Sequence, residues 1–517
     1  MTLTEEIQLA ESAGRRVGVR GWLALIVLML PVLLVSVDNT VLSFALPDIA
    51  RDLQPTSIEQ LWIIDAYPLV LAGLLVTMGT LGDRFGRRRM LLIGATGFAA
   101  VSVLAAFAPT ATALIAARAA MGVFGAMLMP STLSLLRSIF TDRDQRRLAI
   151  AVWASMFSAG AALGPIVGGL LLEHFAWGSV FLMSVPVLIP LLVCAPFLVP
   201  ESRDPKPGRI DPVSIVLSML TMIPVVYAIK ETAVHGVGML PLVLVVVGVG
   251  FGVLFVRRQL ASPAPMLDMR LFTRGAFTGA LLVNLLSVIA LVGFLYFVSQ
   301  HLQLIVGLSP MAAGLALVPG MAAMIVAGLL VVPISRRVSP RVVVPSALVL
   351  SVSAYLIIPF AVESLPLLVG AFTLLGMGIG AAETVSNELV LATAPPAKAG
   401  AASAVSETAY ELGAVLGTAV LGGILTAAYR NGLVLPGGLP AAAEAAARET
   451  LAGAMTVADT LAPAAAEALR TAAAHAFDSG VVITALIGAA LVAVAGVIAA
   501  TTLGGTRESS RTAPPTH

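Results

Sequence analysis

Apolar runs of roughly 18 to 28 residues recur along the chain, each long enough to cross ~30 Å of hydrocarbon as a helix. They lie near 22–46, 60–80, 89–108, 111–136, 147–171, 178–199, 212–230, 238–256, 276–300, 310–332, 342–361, 365–391, 400–428 and 480–503. This pattern predicts fourteen membrane-spanning helices. An even number returns the C-terminus to the side of the N-terminus.

The polar breaks orient these helices. Alternate connections carry Arg84–Arg87–Arg88–Arg89, Arg143–Arg146–Arg147, Arg203–Lys206–Arg209, Arg257–Arg258–Arg270–Arg274 and Arg336–Arg337–Arg341. With both termini on their side, 24 of the 30 Lys and Arg residues share one face, which the positive-inside rule makes cytoplasmic. A bacterial inner membrane with both termini cytoplasmic is the expected setting. Arg15, Arg16 and Arg20 precede the first run. That run is too long for a cleaved signal, so it reads as the first membrane helix.

Two breaks differ from the rest. The connection ESRDPKPGRID, Glu201 to Asp211, is charged and Pro-rich and closes the first six helices. The segment from Tyr429 to Gly480 is long and Ala-rich, and falls outside. Within it, PAAAEAAARETLAGAM and PAAAEALRTAAAHAF each begin with Pro and then favour helix. They predict a helical hairpin at about 430–478 over the outer mouth.

Composition agrees with the pattern. The chain of 517 residues is 58% hydrophobic and 11% charged, with mean hydropathy +0.99. So few charges cannot cover a soluble surface of this size. The net charge of +2 gives no reason to expect nucleic acid. Cys194 is the single cysteine, which excludes an internal disulfide. His174, His235, His301, His475 and His517 are scattered near loops, so no metal site is expected. No nucleotide-binding or hydrolytic signature occurs. No cofactor and no enzyme activity are expected.

The connection after the second run reads Gly79-x-x-Gly82-Asp83-Arg84-x-Gly86-Arg87-Arg88-Arg89. Glycine permits a tight reversal, and Asp83 can pair with a nearby Arg or face a helix N-terminus. A positive-inside turn accounts for the arginines but not for the Gly–Asp–Arg–x–Gly spacing. That spacing resembles the cytoplasmic loop signature of the major facilitator superfamily. In the fifth run, Ser158-Ala-Gly160-Ala-Ala-Leu-Gly164-Pro165-Ile-Val-Gly168-Gly169 looks like the antiporter signature of its exporters. Small residues at this spacing let helices approach, and Pro165 bends the helix; an ordinary packing face is the plainer reading. Leu114-x-x-x-Arg118-x-x-x-Gly122 resembles a third signature. An arginine within a membrane helix needs a partner, unless it snorkels to an interface.

Three further segments narrow the resemblance. They are Val37-Asp38-Asn39-Thr40-Val41-Leu42-Ser43-Phe44-Ala45-Leu46-Pro47, Trp62-Ile-Ile-Asp65-Ala-Tyr67 and Ser406-Glu407-Thr408-x-Tyr410-Glu411-Leu412-Gly413. Together they resemble the fourteen-helix drug:proton antiporters, the QacA- and LfrA-type multidrug exporters, from about residue 22 to 428. The resemblance implies an all-α membrane protein of the major facilitator fold. Two pseudo-symmetric six-helix bundles, 22–200 and 275–503, would flank a linker and two inserted helices at 201–274, between tails 1–21 and 504–517. A weak echo supports the halves: Gly82, Asp83, Arg84 and Gly86 align with Ser335, Arg336, Arg337 and Ser339. The first loop, with Gly79 and Arg87, is expected to latch the two halves, and Arg118 to serve proton coupling.

The acids support the same class. Asp38, Asp65, Glu383, Glu388, Glu407 and Glu411 all lie within apolar runs, where a charge costs at least ~2.5 kcal/mol. They should face a wet cavity. Glu407 and Glu411, four apart, share one helix face. Proton coupling is assigned to Asp38, Arg118, Glu407 and Glu411. Substrate contact is assigned to Asp38, Asp65, Glu388, Glu407 and Glu411, with the aromatic residues Trp62, Tyr67, Phe157 and Tyr410. Asp65 could instead lie near the outer interface and recruit cations. Phe181, Phe294, Tyr296, Met127 and Met129 are further candidates for an adaptable pocket. The expected partners are lipophilic cations, protons and lipid, with the chain acting as a monomer. A narrow exporter of an endogenous compound and a non-transporting receptor are the alternatives.

Overall fold

Helix boundaries follow from how each helix satisfies its first N–H groups, which have no partner within the helix. The structure, a computed structural model, describes residues 17–204, 211–262, 265, 267, 269–393, 399–437 and 439–503. Most of the expected N-terminal tail, linker residues 205–210 and the expected C-terminal tail lie outside these. No strand occurs among the described residues. The helices are α1 (Val19–Leu53), α2 (Ser57–Phe85), α3 (Arg87–Ala106), α4 (Ala111–Ile139), α5 (Arg143–His174), α6 (Ser179–Leu198), α7 (Pro212–His235) and α8 (Met239–Ala261). There follow α9 (Gly275–Ile305, ending in a π-helical turn), α10 (Pro310–Ser335), α11 (Pro340–Ala361) and α12 (Leu365–Thr393). Then come α13 (Ala399–Leu416, continued through a π-helical stretch to Gly432), α14 (Ala441–Glu449), α15 (Leu451–Ala458) and α16 (Pro463–Thr502). Thr56 and Glu59 form a reciprocal cap on α2. Asp142, Asp211, Ser309 and Ser339 cap α5, α7, α10 and α11.

Thirteen helices among the described residues are long and apolar enough to cross a membrane, and α5 contributes a shorter apolar stretch, Ala159–His174. The arginine-bearing connections gather at one end of the bundle, here the arginine face. The α14–α15 segment lies at the other, the hairpin face.

The two halves, α1–α6 and α9–α13 with α16, repeat a bracing device. Arg88 donates to the carbonyls of Pro196 and Val199 at the end of α6, 3.1 Å each. Arg341 donates to the carbonyl of Ala500 at the end of α16, 2.6 Å. Each half thus ties its second connection to its last helix. The inserted α7 packs on α2 and α13, across the seam between halves, and α8 packs chiefly on α7. Only 11% of the apolar window of α8 is buried, which makes it a lipid-facing helix.

Glycines set how closely the seam packs. A Cβ on Gly160 would lie 2.7 Å from Ser36 Cβ, and one on Gly164 only 1.8 Å from Thr40 Oγ1. A Cβ on Gly168 would lie 2.9 Å from Val41 Cγ2. The small residues therefore dock α5 on α1. On its other side, the Pro165 carbonyl occupies the space of a Gly314 Cβ, 2.2 Å away, so α5 also joins α10 of the second half. Near the hairpin face the halves are joined further. Gln60 Nε2 donates to Gln300 Oε1 at 3.3 Å, Gln303 Nε2 to the Phe44 carbonyl at 3.1 Å, and the Met311 N–H to Glu173 at 3.3 Å.

The hairpin differs from the sequence expectation. Its first arm breaks at Thr450, which caps α15, giving two short helices. Its second arm is not a separate helix: Pro463 opens the 40-residue α16, which runs on into the membrane. Nothing between Ala464 and Gly480 stops it, because the alanines favour helix and no Gly or Pro intervenes. The turn between α14 and α15 carries a clamp. Glu449 accepts from the Ser57 N–H at 2.9 Å and its hydroxyl at 2.7 Å, and pairs with Arg430 at 2.9 Å. The hairpin segment thereby ties the start of α2 to the end of α13.

Two predictions follow from this packing. Gly314→Ala should destabilise the purified protein by ~1–3 kcal/mol through forced separation of α5 and α10. Gly250→Ala, where a Cβ meets nothing within 4 Å, should instead stabilise by up to ~1 kcal/mol; thermal unfolding compares the two. For the clamp, burial opposes the Glu449 charge, but Ser57 and Arg430 outweigh it and hold the carboxyl below its ordinary value. A depressed pKa gives stability that is complete above the ordinary value of about 4.3 and is lost as pH falls through the folded value. The gap in Tm between wild type and Glu449→Gln should therefore be constant above about pH 6 and close on acidification. A gap independent of pH would exclude the clamp.

Candidate functional site

A cavity of about 350 Å³ lies between the halves, within the size range of small-molecule sites. The first half gives it Leu75 of α2, Met129 of α4, and Trp153 and Ala161 of α5. The second half supplies Asn284, Met324, Glu383 and Asn387 from α9, α10 and α12, with Ser406, Glu407, Tyr410 and Glu411 from α13. Asn387 and Ser406 place its mouth toward the arginine face. A smaller chamber shares Ala161, Met324 and Tyr410 with it and reaches Asn39 and Arg118 at the closed end.

Arg118 shows how the fold accommodates a charge here. Its side chain is 1% exposed, and Nη1 lies 2.6 Å from Asp38 Oδ2. Nε donates to the Ile63 carbonyl at 3.2 Å, and the guanidinium stacks 4.6 Å from the Tyr67 ring centre. It does not snorkel to an interface. Tyr67 is fully buried beneath it, so this aromatic serves as a seat for Arg118 and does not line the cavity. Asn39, next to Asp38, donates to Glu411 Oε1 at 3.4 Å. The pair of one half is thereby linked to a carboxylate of the other.

Glu407 and Glu411 both line the cavity from one face of α13, with Tyr410 between them in sequence. Arg137 of α4 is within electrostatic reach of Glu407, on the arginine-face side. Phe157 lies in α5, but its side chain is outside the described residues. Glu388 is exposed and does not line the cavity. One turn earlier, Glu383 takes that place, because the helical period turns Glu383, Thr384 and Asn387 to the same side.

Asp65 and Trp62 also lie elsewhere. Asp65 is fully buried and outside the cavity, with its Oδ2 2.8 Å from Lys230 Nζ of the inserted α7. Lys230 also donates to the Leu61 carbonyl at 3.1 Å and stacks 3.9 Å from the Trp62 ring centre. The carboxylate and indole predicted to hold a cation already hold one belonging to the chain. Lys230 was missed because the predicted span ended at it. The helix runs five residues further, to His235, which puts Lys230 about 7.5 Å inside. The signal was a lone lysine at the end of an apolar run facing an aspartate of another run.

His301 was expected near a loop. It lies in the π-helical turn ending α9, 3% exposed, 2.9 Å from Asp478 and 3.0 Å from the Val362 carbonyl. It ties α9 to α11 and α16.

In the arginine-face loop, Gly86 takes φ +115°, which favours glycine. Gly79 faces Pro130, and Gly82 is buried beside Ser131. Asp83 pairs with Arg87 at 2.8 Å, and its carbonyl accepts the Asp204 N–H. Arg87 also donates to Ser202 Oγ at 3.1 Å. Glu201 accepts the Arg88 and Arg89 N–H groups at the start of α3. Arg84 is exposed over Phe85. These bonds, all among the described residues, join the loop to the segment after α6 and not to the second half.

Two helical bundles enclosing a central cavity, closed toward one membrane face, define a membrane transporter rather than an enzyme. The chain belongs to the Major Facilitator Superfamily, whose family model matches residues 28–418. It is 56% identical to the multidrug efflux pump LfrA of Mycolicibacterium smegmatis, over 93% of this chain and 96% of that protein. It is 37% identical to the methyl viologen resistance protein SmvA of Salmonella typhimurium, over 89% of this chain and 93% of that protein. A solved structure of a bacterial homologue of the lysosomal transporter Spinster, inward-facing and occupied, superposes with a TM-score of 0.65. It covers 93% of this chain and 96% of its own at 16% identity.

The buried pair gives a test. Lys230→Met and Asp65→Asn each strand one partner and should cost ~3–5 kcal/mol of stability. The double variant should recover most of that loss in thermal unfolding. Additive losses would mean that the two groups do not interact.

Proposed function

We propose that the protein exports lipophilic cations, quaternary ammonium compounds and dyes such as ethidium among them, from a bacterial cell in exchange for protons. The observation that carries this reading is the placing of Glu407 and Glu411 on one wall of a cavity between the halves, beside a smaller chamber that reaches Arg118, the partner of Asp38. Carboxylates in such a place hold either a proton or a cationic guest. The names of two relatives, a multidrug efflux pump and a methyl viologen resistance protein, support organic cations as cargo.

In this scheme the arginine face is cytoplasmic, and a cation enters the cavity from that side or from the inner leaflet. Met129, Trp153, Met324 and Tyr410 supply adaptable apolar walls. The halves then rock until the cavity opens at the hairpin face. Protons from outside reach Glu411 and Glu407, weaken their hold on the guest and return inward. Asp38 relays the change, because the Arg118 it binds sits where Asn39 contacts Glu411. Parting the halves at the hairpin face requires the seam at Gly314 and the glutamine bonds to break. A single chain contains every part of this cycle, so a monomer suffices.

Asp38→Asn keeps the shape of its neighbour's partner but removes the charge. It should still insert, with a stability loss like that of Asp65→Asn, yet lose proton-driven ethidium efflux per inserted molecule by ~10-fold or more, which matches the loss of a charged hydrogen bond. Everted vesicles with an imposed proton gradient, with and without an uncoupler, provide the readout. Wild-type efflux from that variant would disprove the mechanism. Uncoupler-insensitive efflux from the wild type would remove proton coupling.

A further inference from the structure

The polar atoms of the residues that line the cavity are unevenly used. Its donors are largely spent inside the protein: Trp153 Nε1 on Thr132 at 3.1 Å, and Thr384 Oγ1 on the Gly380 carbonyl at 2.8 Å. Asn284 Nδ2 and the Ser406 hydroxyl both donate to Asn387 Oδ1, at 2.7 and 2.9 Å. What remains is of the opposite kind. Asn284 Oδ1, Glu383 Oε1 and Glu411 Oε2 are buried and have no hydrogen-bond partner among the described residues. Asn284 and Glu411 are 3% and 4% exposed, so these are enclosed atoms and not surface groups. All three belong to residues that line the one cavity, from α9, α12 and α13.

A buried acceptor left unmatched is unfavourable, and a ligand that supplies the missing donors removes the deficit. Charge alone does not do so. A quaternary ammonium or phosphonium ion satisfies the field of Glu383 and Glu411 but carries no N–H. A protonated amine or amidinium carries charge and donors together, and charge-assisted hydrogen bonds are the stronger kind. The neutral Asn284 oxygen is the informative member, because it gains more from a donor than from a positive charge.

We propose that this cavity is built for cations bearing N–H donors, protonated amines and amidines, in preference to fully alkylated cations of the same charge. Asn284 Oδ1, Glu383 and Glu411 are the three points of recognition. Glu383 acts here through contact with the ligand, apart from the proton-exchanging pair on α13. The inference rests on the reading of the cavity as a cation site and refines which cations it takes.

The test is equilibrium binding to the full-length protein in lipid nanodiscs at neutral pH, by titration calorimetry. The probes are naphthylmethylammonium and its N,N,N-trimethyl counterpart. Wild type should bind the primary ammonium about 10-fold more tightly or better, the equivalent of one charged hydrogen bond. Asn284→Leu should erase most of that preference by weakening the primary ammonium alone; Asn284→Ala replaces it if the leucine variant does not fold. Glu383→Gln removes charge but keeps an acceptor, so it should weaken both probes and leave their ratio nearly intact. Equal binding of the two probes by wild type, or a preference for the trimethyl form, overturns the proposal. So does an Asn284 variant that weakens both probes alike. Because binding is read directly, a protein that shows the preference but moves no cation would refute the efflux reading and leave this one standing.

Discussion

A charge inside hydrocarbon has to face either an opposite charge or water, and this single constraint organises the interior of the protein. The chain meets it in two ways. Asp38 with Arg118, and Asp65 with Lys230, are closed pairs, each less than 3 Å apart and almost wholly buried. Both cations are also stacked on an aromatic ring, Tyr67 or Trp62, and bonded to a backbone carbonyl. Glu383, Glu407 and Glu411 have no buried ion-pair partner of this kind among the described residues. They face the cavity instead. The carboxylates thus divide into those held by a built-in cation and those that face the cavity without one.

That division gives the inserted helices a place in the architecture. By composition α7 and α8 could be an appendage, and α8 does face outward along nearly its whole length. Yet α7 delivers Lys230 to Asp65 of α2 while packing on α13, so it spans the line where the halves meet. A fully buried lysine is costly unless paired, and its aspartate would be equally costly without it. The inserted pair and the second helix thus depend on each other for a stable interior.

Much of this was legible in the sequence because hydrophobic run length encodes membrane helices directly. Basic residues mark their ends. The Asp38, Glu407 and Glu411 positions were legible because acids within apolar runs are rare and need a reason. What could not be read was pairing. Whether an acid meets lysine or water depends on which helices adjoin, and α7 meets α2 across more than a hundred residues of chain. For this reason Asp65 and Trp62, which resemble a cation site in every local respect, belong to a closed pair. The choice between Glu383 and Glu388 turned on the rotation of α12, which a run of mixed small and apolar residues leaves undetermined. The hairpin's second arm was misread because alanine favours helix whether it is in water or in lipid. No boundary therefore marks where α16 enters the membrane.

The distribution of bond strength bears on how the halves can move. Within the first half the polar contacts are short and charged: 2.6 Å for Asp38 with Arg118 and 2.8 Å for Asp83 with Arg87. Across the halves, inside the membrane, they are longer and mostly involve amides: 3.4 Å for Asn39 with Glu411, 3.3 Å for Gln60 with Gln300, 3.1 Å for Gln303 with the Phe44 carbonyl. Such bonds contribute about 1 kcal/mol each between amides and carbonyls and up to about 3 to a carboxylate, whereas stranding one member of a buried ion pair costs about 3–5. A separation along this seam that keeps α7 with α2 leaves both closed pairs intact and breaks the weaker set. The exception is the Glu449 clamp, which is short and charged but lies beyond the membrane helices, where water can replace each bond as it breaks. Strong contacts thus lie where the chain moves as one body, or where solvent can take their place, and weak ones lie where the two bodies must part.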